Sequence, residues 1–213
     1  MAGSEKTFSW HFETDRAALL VIDMQNDFVA EGGVMHVPKA AGIIPKLQEL
    51  IACCRECGVP VIYTVQAFHP HYNLCPLEVK KFPHLEKEGM REGTWGIEIF
   101  PAIKPQEGDI IIKKRRFSAF YNTELELVLR DLKGINHIDT TIISGTVTNI
   151  CCESTARDAF FRDFKVVFGS DVNAAVDENA HQATLNNIET AFGVVMDADT
   201  IMAALRAGGS HRL

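Results

Sequence analysis

The sequence predicts a three-layer α/β/α sandwich, with helices covering both faces of a central, mostly parallel six-stranded sheet. Three observations carry this. Six short apolar or β-branched runs, too brief for helices, recur along the 213 residues and alternate with stretches of helical periodicity. The runs are apolar almost throughout, as in strands buried on both faces. No linker-like stretch breaks the chain, so one domain is expected over 1–213, with 1–15 as an N-terminal extension and 208–213 as a C-terminal tail.

The elements follow in order. ALLVIDM (18–24) is a buried strand that ends at Asp23. From Ala40 to Gly58, Ile43, Ile44, Leu47, Leu50, Ile51 and Cys54 fall at three- and four-residue spacing, an amphipathic helix stopped by glycine. VPVIYTV (59–65) and DIII (109–112) are strands, separated by a long polar segment of the kind that carries a lid. A helix from Asn122 to about Lys133 precedes the β-branched strand HIDTTIISG (137–145). A helix from about Cys151 to Asp163, a strand KVVFGS (165–170), a helix near 178–191, a strand GVVMDA and a short last helix complete the chain. Right-handed crossovers between parallel strands place the helices on both faces, in a Rossmann-like arrangement. Ligands of such sheets sit at the carboxyl ends of the strands.

Composition narrows the function. Hydrophobic residues at 46% and charged residues at 23% are those of a globular protein with a real core. A net charge of −7 without a basic stripe repels a phosphate backbone, so nucleic acid is not an expected partner. The opening MAGSEKTFSWHFETDRA lacks a signal-peptide core and no run of about eighteen apolar residues occurs, so no membrane partner and a cytoplasmic location are expected. Cysteines at 53, 54, 57, 75, 151 and 152 form two adjacent pairs in a large domain, a pattern of reduced thiols rather than of a disulfide framework. No GxGxxG or GxxxxGK glycine pattern follows a strand.

Chemistry must then come from the strand ends. Asp23 ends the first, Lys113 and Lys114 follow the third, and Cys151 lies just past the fourth. A thiol attacks as thiolate, which a helix start and a nearby ammonium favour. A carboxylate can take the thiol proton and return it to a leaving amine. Each residue also has a plainer reading: Asp23 as a turn or cap residue, and Lys113-Lys114-Arg115-Arg116 as a solvated charge run. Cys152 competes with Cys151, about 100° away around a helix, and spacing does not choose between them.

VIDMQNDF (21–28), KRRFSAFYNT (114–123) and SGTVTNICCEST (144–155) resemble, in order, three signature segments of the isochorismatase-like cysteine hydrolase superfamily. The resemblance implies Cys151 as nucleophile, Asp23 as its acid–base partner and Lys114 as the charge that steadies them. It also implies a cis peptide between Val147 and Thr148, and an oxyanion hole from the backbone N–H groups of Thr148 and Cys151. Superfamily nicotinamidases hold a metal through Asp-Trp-His-Pro. The matching Ala67-Phe68-His69-Pro70-His71 lacks the aspartate, so no metal and no cofactor are expected. Cys54 and Cys57 form a CxxC inside a helix with no partner pair, which packing explains.

Isochorismatases proper act on an enol ether and lack the cysteine, so Cys151 turns the expectation to carbon–nitrogen bonds. The segments most resemble ureidoacrylate amidohydrolases and neighbours acting on carbamoyl compounds, which implies a small amide or ureido substrate, a thioester and release of ammonia. Gln66, Trp95, Phe28 and Tyr121 are the substrate contacts this suggests, with packing the plain alternative for Phe28 and Trp95. Arg115, Arg116 and Arg157 can meet a carboxylate, but exposed arginines are more often solvated and none is counted as a site residue. The resemblance implies a homodimer or homotetramer. Two other readings stay open: a nicotinamidase-like pyridine amidase, and a silent small-molecule binding or assembly module, which should have lost one of the three groups.

Overall fold

The strand Ala17–Ile22 is buried at every position, and its pleat explains the layered architecture. Ala17, Leu19 and Val21 pack with Leu47, Leu50, Ile201 and Leu205 on one face, while Ala18, Leu20 and Ile22 meet Leu125, Leu129, Ala156 and Ala159 on the other. Each large side chain so buried contributes about 1.5–3 kcal/mol relative to exposure. The computed structural model describes residues 11–72, 76–134 and 137–212.

In chain order the elements are β1 (His11–Glu13), β2 (Ala17–Ile22), α1 (Asn26–Val29), α2 (Ala40–Glu56), β3 (Val61–Gln66), α3 (Pro76–Lys81), β4 (Ile110–Lys114), α4 (Leu125–Asp131), β5 (Thr140–Thr146), α5 (Glu153–Phe160), β6 (Lys165–Ala174), α6 (Glu178–Asn187), β7 (Val194–Met196), α7 (Ala198–Ala207) and β8 (Ser210–Arg212). Six strands form one sheet in the order β4-β3-β2-β5-β6-β7, every pair parallel. This is the doubly wound order, and the chain changes winding direction between β2 and β5, where a crevice opens at the carboxyl ends. The expected sandwich is therefore present, with a sheet that is wholly parallel.

The ends of the chain differ from the expected extension and tail. His11–Glu13 pairs antiparallel with Ser210–Arg212, joining the two as a separate two-stranded ribbon. Residues 1–10 and Cys75 lie outside the described residues. The other five cysteines are free thiols. Among the described residues, no helix is long and apolar enough to cross a membrane.

Two local departures bear on the site. β4 runs to Lys114 instead of stopping at 112, so strand alternation splits the lysine pair: Lys113 is exposed and Lys114 is fully buried. The cis peptide lies between Thr146 and Val147, one bond earlier than expected between Val147 and Thr148. Pairing accompanies the offset: β5 stays paired with β6 to Thr146, opposite Ala174, across a register shift between Ile143 and Gly145, and the cis bond follows at once. Gly145 permits this close course. Its φ is +118°, and a Cβ there would sit 2.1 Å from the Ile22 carbonyl oxygen.

Candidate active site

Four strand ends converge at the crevice. β2 delivers Asp23, β3 Gln66 and β4 Lys114, and the segment after β5 delivers Cys151. Gln66 and Lys114 are partners in the β3–β4 register, so their side chains leave the same face side by side. Asp23 stands in a left-handed conformation, φ 47°, that turns the chain out of β2 toward α1.

Asp23 and Lys114 are fully buried and paired, with Lys114 Nζ 2.6 Å from Asp23 Oδ2. The ammonium also donates to the Arg116 carbonyl at 2.9 Å and to Gln66 Oε1 at 3.2 Å. The Thr64 hydroxyl donates to Asp23 Oδ1 at 2.7 Å and accepts the Asp23 backbone N–H at 3.1 Å. Cys151 Sγ lies 3.7 Å from Gln66 Oε1 and feels the charges of Lys114 and Asp23. Cys152 is buried beside it in the same apolar cluster.

Burial pushes the Cys151 thiol far up, Lys114 opposes this, and the neighbouring Asp23 carboxylate adds to it. The balance holds the resting sulfur toward the thiol. Burial acts to lower Lys114 as well, but the paired Asp23 carboxylate, with Glu78 beyond it, more than offsets this and raises it.

Cys151 belongs to a turn of π-helix, Thr148–Cys152, that runs directly into α5. Such turns are frequent at functional sites. Its position is tied on two sides. Thr155 Oγ1 donates to the Cys151 carbonyl at 2.7 Å and accepts from the Ala119 N–H at 3.0 Å. Thr148 Oγ1 lies 3.0 Å from His181 Nδ1, and His181 Nε2 faces the Ser170 carbonyl at 3.1 Å. Since a carbonyl only accepts, Nε2 carries the hydrogen and Nδ1 accepts from the threonine. The backbone of Val147 also acts on the Cys151 sulfur, against the upward push of burial.

The four suggested substrate contacts separate. Gln66 is part of the cluster, 1% exposed, its Nε2 donating to Glu78 Oε1 at 2.6 Å. Gln25 fixes it by a two-point clamp, its side-chain amide bonding both the Gln66 N–H at 2.9 Å and carbonyl at 3.1 Å. Phe28 is buried in the core. Trp95 and Tyr121 are 53% and 51% exposed. His69 stacks on Tyr72 and its Nδ1 accepts the His71 N–H at 3.2 Å. Among the described residues no group of three or more His, Cys, Asp or Glu side chains is placed to hold a metal ion.

Thr64, Glu78, Thr155 and His181 were not anticipated. Thr64 was within reach, because it lies two residues before Gln66 in a buried strand and so shares its face. The others follow from tertiary packing and have no spacing signal.

A family model described as the isochorismatase domain matches residues 17–200. The chain belongs to that family. The isochorismatase-domain chain is also similar to the ureidoacrylate amidohydrolase RutB of Yersinia enterocolitica, 36% identical over 208 residues, 89% of each chain. Among solved structures it is similar to a cysteine hydrolase from Pseudomonas syringae pv. phaseolicola, at TM-score 0.88 and 30% identity over 93% of this chain and 96% of that one. An N-carbamoylsarcosine amidase from Thermoplasma acidophilum matches at TM-score 0.74 and 28% identity, over 86% and 97%.

Proposed function

We propose that this member of the isochorismatase domain family is a cysteine amidohydrolase that cleaves a C–N bond of a small amide or ureido substrate through a thioester, releasing ammonia. The observation that carries the reading is the fully buried contact set of Cys151, Asp23 and Lys114 at three strand ends. It supplies a nucleophile, a carboxylate that can take its proton, and a cation beside both. The printed activities of the relatives, ureidoacrylate amidohydrolase and N-carbamoylsarcosine amidase, support ureido or carbamoyl compounds as the substrate class.

In the proposed cycle Asp23 takes the S–H proton as Cys151 Sγ attacks the carbonyl carbon, and the carbonyl π electrons move to oxygen. The backbone N–H groups of Cys151 and Val147 receive the oxyanion. Val147 is proposed in place of the Thr148 of the sequence reading because it follows the cis bond and its backbone acts on the Cys151 sulfur. The tetrahedral adduct collapses, the C–N bond breaks, and Asp23 gives its proton to the departing nitrogen as ammonia. Water then attacks the thioester, Asp23 again takes a proton, and the thiol is restored as the acid leaves. The sum is one water consumed and one ammonia released per bond. The Ala67 that stands where metal-binding relatives carry aspartate supports a metal-independent reaction. The reading also includes a homodimer or homotetramer in the cytoplasm, and light scattering of the purified protein tests the assembly.

The test is ammonia release by chelator-treated protein on ureidoacrylate, N-carbamoyl amino acids, biuret, maleamate and nicotinamide, with Cys151→Ala and Cys152→Ala beside it. Turnover that survives chelation and Cys152→Ala but disappears in Cys151→Ala is the expected result. Turnover retained by Cys151→Ala overturns the mechanism.

A further inference from the structure

α6 differs from the other helices of the fold in what it buries. Its buried side chains are His181 and Thr184, both polar, whereas each other helix from α1 to α7 buries at least one apolar side chain. Burying a hydroxyl or an imidazole costs free energy unless it is hydrogen-bonded. Both are, and both to the same stretch of chain. His181 meets Thr148, the first residue of the π-turn that carries Cys151. Thr184 Oγ1 donates to Glu153 Oε2 at 2.7 Å, and Glu153 directly follows Cys152, the last residue of that turn. Three positions apart on a helix, His181 and Thr184 share a face. One face of α6 therefore grips the turn at both ends, with Cys151 between them.

The turn depends on such outside support. Its ladder is of the rare i→i−5 kind, the Cys152 N–H reaching the Val147 carbonyl at 3.2 Å. The Glu153 carboxylate is meanwhile engaged at both oxygens. Oε1 accepts from the Arg157 guanidinium at 2.6 and 3.1 Å and from Asn187 Nδ2, the last residue of α6, at 3.3 Å, and Oε2 is given to Thr184. Arg157, one turn further along α5, balances the charge. What the threonine adds is direction, since its single donor aims the start of α5 at α6.

We propose that Glu153 and Thr184 are positioning residues for the nucleophile: their bond, together with the Thr148–His181 contact, holds the Cys151 turn against α6 and so keeps the sulfur beside Asp23 and Lys114. They act through the backbone of residues 148–153. The inference rests on the amidohydrolase reading for its effect on rate, but not for its effect on the thiol.

The test uses the full-length protein. Thr184→Val keeps the shape of the side chain and removes the hydroxyl, and Thr184→Ser keeps the hydroxyl. On ureidoacrylate, or the amide of the panel above that the parent turns over fastest, Thr184→Val is expected to lower kcat by about tenfold with KM within about threefold, because misplacing a reacting group by about 1 Å costs up to about 10²-fold. Thr184→Ser should stay within about threefold of the parent. Glu153→Ala should fall at least as far as Thr184→Val, and the double variant should lie within about twofold of Glu153→Ala, since one interaction is lost only once. A kcat for Thr184→Val within about twofold of the parent, an equal loss in Thr184→Ser, a change in KM alone, or a double variant that multiplies the two single losses overturns the inference. Iodoacetamide alkylation at pH 7, read by peptide mass spectrometry, needs no substrate. Thr184→Val is expected to alkylate Cys151 at least about threefold faster than the parent or Thr184→Ser, with the fully buried Cys54 of α2 as the gauge of general opening. No turnover by the parent on any amide defeats the catalytic reading alone, and the thiol then decides: equal Cys151 rates in the three proteins, or a rise matched at Cys54, overturns the positioning role.

Discussion

Removing the Lys114 charge tests the centre of the site most directly. Lys114→Met keeps the length of the side chain and deletes the ammonium, leaving the Asp23 carboxylate fully buried with its cation gone. Breaking a buried ion pair from one side costs about 3–5 kcal/mol. The Arg116 carbonyl, 2.9 Å from Nζ, and Gln66 Oε1, at 3.2 Å, also lose their donor. A vacated buried acceptor costs about 1–3 kcal/mol, so the expected loss lies toward the upper end of the first range. Asp23→Asn/Lys114→Met removes the stranded charge, and asparagine tolerates the left-handed conformation of residue 23. The double variant should therefore regain about 2 kcal/mol or more over Lys114→Met, though it has no base and no turnover. Urea unfolding at pH 7, followed by far-UV circular dichroism at constant m value, gives the four corners of the cycle. Lys114→Met within about 1 kcal/mol of the parent, or a cycle additive to about 0.5 kcal/mol, would refute a buried charge pair.

The neutral resting thiol predicts that iodoacetamide alkylates Cys151 slowly at pH 7 and that the rate climbs without a plateau through pH 9, read by peptide mass spectrometry. A plateau below pH 8 would mean a resting thiolate. Burial also raises Cys152 well above its ordinary value, so its stabilising share is complete below the unfolded thiol pKa and is lost as pH rises past about 8.5. Cys152→Ala should lose about 1.4 kcal/mol less than the parent between pH 7.5 and 9.5 in urea unfolding while keeping its turnover. Gly145→Ala drives a Cβ to 2.1 Å from the Ile22 carbonyl oxygen of the central strand and should cost more than about 3 kcal/mol, so a Tm equal to the parent's sinks the close-approach argument. His181→Asn should lower kcat by about tenfold to a hundredfold with little change in KM, by loosening the Thr148 anchor of the nucleophile turn. An unchanged kcat would show that the anchor does not position Cys151.

What was legible in the sequence follows from how far each signal reaches. Asp23 could be placed because a buried strand ends visibly where its apolar run stops, whereas Cys151 was separated from Cys152 by resemblance alone. Lys114 was recognised by resemblance, but its separation from Lys113 needed the strand to continue two residues past DIII. Apolar runs mark the middle of a strand, not the last polar residues still in the ladder. The cis bond was misplaced by one residue for the same reason, because β5 keeps its pairing to Thr146. The resting state of the sulfur was not legible, because complete burial, which dominates the Cys151 balance, is a tertiary property. Glu78 lies in a polar segment without periodicity, and His181 reaches the site from 33 residues beyond Thr148, so neither had a local signature. The three-residue strands at the two chain ends are too short to show a period at all.

Burial and reactivity meet in the charge count of the cluster. At rest the three groups are a carboxylate, an ammonium and a thiol, with no net charge among them. Moving the thiol proton to Asp23 gives a carboxylic acid, the same ammonium and a thiolate, again with none. The step therefore relocates one negative charge by a hydrogen-bond length, from an oxygen beside Lys114 to a sulfur whose thiolate the same ammonium stabilises. A low-dielectric interior penalises net charge heavily and such a relocation far less. This explains why a lysine is required although it transfers no proton. Without it both states carry an uncompensated buried anion, and the cluster must either hydrate or stay protonated. Complete burial then serves the reaction, since it holds the sulfur as a thiol until a carbonyl arrives to take up the charge, and the backbone N–H groups that receive it are already in place.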